Sequence, residues 1–120
     1  MEARAAAQGG PFLHTVGRAC GSMEAAILRF LKSLEAQGRS ASTLKAYRWW
    51  LGRYARWCEE AGVDFRKASY QDMERFRDWL VAQGIQPQSR RQTITAVRSF
   101  YDFLAREGEV PANPVPRGLR

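Results

Sequence analysis

Apolar residues return every third or fourth position in successive stretches of this chain, and a glycine closes each stretch. Spacing of that kind gathers side chains on one face of a helix. Met23, Ile27, Phe30, Leu31 and Leu34 predict a first helix that starts near Ser22 and stops at Gly38. A polar link, Arg39-Ser40-Ala41, leads to a second. Its apolar positions are Leu44, Tyr47, Leu51, Tyr54, Ala55 and Cys58, and Gly62 ends it. Val63 to Ala68 form a connector. Ser69 followed by Asp72 reads as a capping-box variant opening a third helix, in which Met73, Phe76 and Leu80 supply the buried face and Gly84 the stop. Ile85-Gln86-Pro87 make a turn, and Pro87 or Ser89 opens a fourth helix. Ile94, Val97, Tyr101 and Leu104 are its core stripe, Phe100 flanks it, and Gly108 is the stop.

No stretch alternates with the two-residue period of a strand. The expected fold is therefore all-α, a compact bundle of four main helices. Residues 1–21, rich in alanine and glycine, read as a flexible leader, and residues 22–110 as the folded domain. Residues 111–120 contain Pro111, Pro114 and Pro116. They read as an extended linker leaving the domain.

At 120 residues the chain is long enough for one domain with a modest core. Hydrophobic residues make up 45% and charged residues 26%, the composition of a soluble globular protein. No apolar run approaches the length of a bilayer span, and the N-terminus lacks an apolar signal core. No membrane partner and a cytoplasmic location are expected. Cys20, Cys58 and the single histidine, His14, suggest neither a disulfide framework nor a metal site, and no cofactor is implied. Charge changes the picture most. A net +7 and a pI near 10.1 favour an anionic partner, most simply nucleic acid.

The cations fall on particular helix faces. With 100° per residue, Lys45, Gly52 and Arg56 point well away from the Leu44–Leu51–Cys58 core direction on the second helix. Trp49 lies close to them and Arg48 at the border. Ser42 and Thr43 sit at the helix start, where a hydroxyl caps the helix or stands beside a phosphate. Gly52 costs about 1 kcal/mol of helix stability relative to alanine, and its small size suits a close approach by another surface. On the fourth helix, Gln88, Arg91, Gln92, Thr95 and Arg98 form a polar face, while Arg90 points nearer the core. Arg, Gln and Thr in the first turns suit the edges of guanine, adenine and thymine in a major groove. The macrodipole favours phosphate at the same end.

The aromatics Tyr54, Trp57, Phe76, Trp79, Phe100 and Tyr101 read as core. Adjacent Trp49 and Trp50 cannot both face inward, so Trp50 is expected half-buried and Trp49 exposed. Asp72, Glu74 and Asp78 stand among Arg75 and Arg77 on the third helix, which points to ion pairing rather than acid–base work. No Ser-His-Asp or Cys-His grouping and no phosphate loop is present. No residue of the chain is assigned a catalytic role, and it is not expected to be an enzyme by itself.

Ser42-Thr43-Leu44-Lys45-Ala46-Tyr47-Arg48, with Leu51 and Trp57, resembles the second helix of the SAM-like core-binding domain of tyrosine recombinases, the phage integrases and Xer-type proteins. Ser89 and the run Ile94-Thr95-Ala96-Val97-Arg98-Ser99-Phe100-Tyr101-Asp102-Phe103-Leu104 look like its fourth helix. Glu107-Gly108 and Asn113-Pro114 resemble its exit toward a catalytic domain. The likeness covers about residues 22–116. It implies a helical domain that clamps double-stranded DNA at a recombination half-site, laying its second and fourth helices against the major groove. The matching positions are Ser42, Thr43, Lys45, Arg48, Gln88, Arg91, Gln92 and Thr95. Trp49, Arg56 and Arg98 join them from the helix faces described above. The resemblance further implies other recombinase protomers as partners, met through the first helix. It also implies that catalysis resides in a separate C-terminal domain. Trp49-Trp50 departs from the polar pair that Xer-type members often carry there. The rival expectations are a small helical protein-interaction module and a stand-alone regulator of recombination sites.

Overall fold

The computed structural model describes the backbone from Arg18 and the side chains from Met23, through Arg120. The expected leader, with His14 and the Cys20 side chain, lies outside the described residues, except that helix α1 already includes residues 18–21. The helices are α1 (Arg18–Ala36), α2 (Ala41–Ala61), α3 (Tyr70–Ala82) and α4 (Pro87–Arg106), with a single 3-10 turn, Phe65–Lys67, inside the connector before α3. Among the described residues there is no strand. The all-α expectation holds.

Local chemistry explains where each helix starts. Ser69 Oγ accepts the Asp72 N–H at 3.2 Å while Asp72 Oδ2 accepts the Ser69 N–H at 3.0 Å, the reciprocal cap expected for α3. The start of α2 differs from expectation. Ser40, not Ser42 or Thr43, is the N-cap, and its Oγ accepts the Thr43 N–H at 3.2 Å. The cap must have extended backbone, and Ser40 has it (φ −71°, ψ 160°), whereas Ser42 and Thr43 are already helical. Pro87 occupies the first turn of α4, where its missing N–H costs nothing.

The helices end alike. Arg39, Val63, Ile85 and Glu109 each donate a backbone N–H to the carbonyl five residues back, at 2.9–3.1 Å. Each bond spans a glycine, the pattern of a Schellman closure. At Gly62 the requirement is plain. Its φ is +70°, its N–H reaches the Cys58 carbonyl, and a side chain there would be strained.

α2 packs chiefly against α1 and α4, and α3 closes the bundle against α2 and α4. Leu51, Tyr54, Phe76, Leu80, Phe100, Tyr101 and Leu104 are fully buried. Phe100, expected at the flank, is central: its ring meets Phe30 of α1 at 5.8 Å and Phe65 of the 3-10 turn at 6.2 Å. Truncating a ring so placed removes about 3–5 kcal/mol. Trp57 is buried as expected, Trp79 is half-buried, and Trp50 is half-buried beside Tyr47.

The segment after α4 corrects the expectation of an extended linker. Val115 of that linker is buried in the core cluster, as is Val110, which was expected within the domain. Glu109 pairs with Arg29 of α1 and with Arg66 of the 3-10 turn, the latter at 3.1 Å. Partial burial alone raises the Glu109 carboxyl, but hydrogen bonds from both guanidiniums outweigh it and hold it below the ordinary value. Gly108 closes the helix, and the prolines beyond it do not prevent a turn-rich chain from burying Val115.

Candidate nucleic-acid interface

α2 and α4 cross so that their N-terminal halves wall an open groove. Ser42, Thr43, Ala46, Tyr47 and Trp50 line it from α2, and Gln88, Arg91, Gln92, Thr95 and Ala96 from α4. The polar residues expected at the starts of the two helices are thus brought together, although tens of residues separate them in sequence. Gln88, Arg91, Gln92 and Thr95 repeat at helical spacing and are exposed. Arg91 is the one charged residue in the lining, and no carboxylate accompanies it.

The N-terminus of α4 opens beside this groove. Ser40 caps α2 and Ser69 caps α3, but no side chain caps α4 at Gln86. Its first-turn N–H groups have no intrahelical acceptor and carry the positive end of the helix dipole.

The remaining expected residues lie elsewhere. Lys45 and Arg48 line a different groove, between α1 and α2, with Leu28, Lys32 and Glu35. The wheel separated Lys45 from the core and put Arg48, which is exposed, at the border, but it did not show that both face the α1 side. Trp49 is 65% exposed, as expected, and stacks loosely with Arg53, whose guanidinium carbon is 5.5 Å from the ring centroid. Arg56 is exposed on α2. Gly52 is exposed, and a Cβ built there meets nothing within 4 Å. Arg98 departs from expectation. It is half-buried outside the α2–α4 groove and donates from Nη2 to the Pro116 carbonyl at 3.1 Å.

Arg90 is half-buried, and its Nη1 donates to the Ile85 carbonyl at 3.0 Å, fixing the turn before α4. Of the acidic residues of α3, Asp72 and Asp78 are paired as expected, with Arg75 at 2.8 Å and Arg77 at 2.7 Å. Among the described residues, no group of His, Cys, Asp and Glu is placed to hold a metal, and no helix is long and apolar enough to cross a membrane.

Sequence reasoning missed Arg53. Its Nη1 donates to Thr93 Oγ1 at 3.1 Å, linking α2 to α4 beside the groove. The spacing of Arg53 four residues after Trp49 was legible as a same-face pair, but its bond to Thr93 was not. Arg117 and Arg120 were missed too, because the tail was read as leaving the domain.

The chain is thus an all-α bundle whose second and fourth helices share a polar groove without carboxylates. The profile of the phage integrase N-terminal SAM-like domain matches residues 27–108, and the chain belongs to that family, the N-terminal domain of tyrosine recombinases. It is 36% identical over 75 residues to the tyrosine recombinase XerD of Chlorobaculum tepidum, covering 62% of this chain and 25% of that protein. It is 34% identical over 94 residues to XerC of Chlorobaculum parvum, covering 72% and 28%. With XerC of Chromobacterium violaceum the identity is 33% over 92 residues, covering 77% and 30%. The chain thus spans between a quarter and a third of these relatives' lengths. No solved structure matches it significantly.

Proposed function

We propose that this bundle binds double-stranded DNA in a sequence-dependent way, as one arm of the clamp by which a site-specific tyrosine recombinase holds its half-site. The observation that carries the reading is the α2–α4 groove, which gathers Ser42, Thr43, Gln88, Arg91, Gln92 and Thr95 with no carboxylate among them. Its width is bounded by helices, its donors are Arg and Gln side chains that suit purine edges, and the uncapped end of α4 suits a phosphate. Lys45, Arg48 and Arg56, set outside the groove, serve flanking phosphates. Strand cleavage and rejoining belong to a separate domain, and α1 meets neighbouring protomers in the cytoplasmic synaptic complex.

Binding to duplex DNA measured across salt tests this reading. For about six phosphate contacts, log K falls with log salt at a slope near −5. Lys45→Ala weakens every sequence equally, whereas Arg91→Ala or Gln92→Ala costs roughly 1–3 kcal/mol and relaxes base preference. An affinity indifferent to salt, or none for duplex DNA, overturns it. Self-association without DNA binding would favour a protein-interaction module instead.

A further inference from the structure

The chain after α4 is tied down at several points. Asn113 Nδ2 donates to the Arg98 carbonyl and to Asp102 Oδ1, each at 2.8 Å, and Asn113 Oδ1 accepts the Val115 N–H at 3.0 Å. Arg98 returns a bond to the Pro116 carbonyl, and Val115 is buried between these ties. The segment is therefore laid along α4 by side chains at both of its flanks.

The consequence is electrostatic. Arg117 and Arg120 are brought beside Arg91, Thr95 and Arg98, in a second groove between α4 and the tail. Asp102 is the one acidic side chain in that lining, and it is already engaged by Asn113. Guanidiniums gathered with so little counter-charge raise the local potential and draw anions. Arg91 and Thr95 line both grooves, so the polar α2–α4 groove and the arginine-lined groove at the tail meet along α4.

We propose that the docked tail is a second phosphate-binding edge of the DNA interface, with Arg117 as the principal contact, Arg120 beside it, and Asn113 as the positioning residue that holds them there. This rests on the DNA-binding reading above and extends it to residues outside the two helices. An arginine on a swinging linker would lose side-chain and backbone entropy on each contact, and the Asn113 ties remove part of that cost before binding.

The test is fluorescence anisotropy with a labelled random-sequence duplex across a salt series, since phosphate contacts do not depend on sequence. Arg117→Ala is expected to lower the magnitude of the salt slope by about 0.9, one phosphate, and Arg117→Lys to restore it. Asn113→Ala should weaken binding with helical circular dichroism unchanged, and adding Arg117→Ala to it should cost less than in the wild-type chain. If the wild-type protein binds the duplex and Arg117→Ala retains its full slope, the tail proposal is overturned while the α2–α4 reading stands. If the wild-type protein does not bind at all, both fall. Should Asn113→Ala unfold the chain, the Arg117 pair of variants decides alone.

Discussion

Arg53 of α2 donates to the hydroxyl of Thr93 on α4 at 3.1 Å, and Thr93 is fully buried. The bond joins the two helices that wall the groove. A buried hydroxyl without a partner is costly, so this pair favours one crossing of α2 and α4 over others. Thr93→Val is expected to lose about 1 kcal/mol of stability, and a double-mutant cycle with Arg53→Ala to give a coupling of similar size. Denaturant unfolding measures both, and zero coupling would show that packing alone sets the crossing.

Tyr101 gives a second prediction. Its hydroxyl is 2.7 Å from the Phe65 carbonyl and 2.5 Å from the Tyr54 hydroxyl. A carbonyl only accepts, so the Tyr101 proton is committed to Phe65 and Tyr54 must donate to Tyr101. Tyr101→Phe strands a buried carbonyl and is expected to cost about 1–3 kcal/mol; Tyr54→Phe leaves that bond intact and costs about 1 kcal/mol.

The same pair predicts a pH dependence. Burial pushes both phenols up, with the neighbouring hydroxyl adding to the rise at Tyr54. In the unfolded chain they ionise near pH 10, so the unfolded state releases protons first as pH rises. Their contribution is therefore fully present below about pH 10 and is lost progressively above it. Thermal unfolding against pH should show an alkaline decline that the doubly substituted Tyr54→Phe, Tyr101→Phe protein has in weaker form.

Gly52 separates stability from binding. It lies in α2 with open space where a Cβ would be, so Gly52→Ala is expected to raise stability by about 0.5–1 kcal/mol. A longer side chain tests the surface itself. If DNA approaches this face closely, Gly52→Gln keeps the fold and weakens duplex binding. Unchanged affinity would place Gly52 outside the interface.

Much of the architecture was legible before any coordinates. The helices, the Ser69 box, the glycine stops and the exposure of Trp49 over Trp50 all follow from interactions within a few residues, which the sequence states directly. Local rules also failed at particular points. Ser42 and Thr43 have cap-forming side chains at the expected helix start, and only the backbone angle at the helix entry selects Ser40 instead. Prolines in the tail marked the end of a helix but said nothing of where the chain went next. Arg98 carries the polar-face spacing of a ligand contact, yet it spends a donor on the Pro116 carbonyl because the tail returns to it.

By itself, the sequence determined the all-α class, which face of each helix is apolar, and which polar residues are available near the starts of α2 and α4. Those properties depend on periodicity and capping, whose range is a turn or two of helix. Only the tertiary structure decided that Ser42 and Thr43 share a groove with Gln88, Arg91, Gln92 and Thr95 while Lys45 and Arg48 face α1. It alone joined Arg53 to Thr93 and brought Arg117 beside Arg91. Each of these meetings is set by how whole helices cross and where the tail docks, and that choice is made by the packed core acting at once, not by any one stretch of chain.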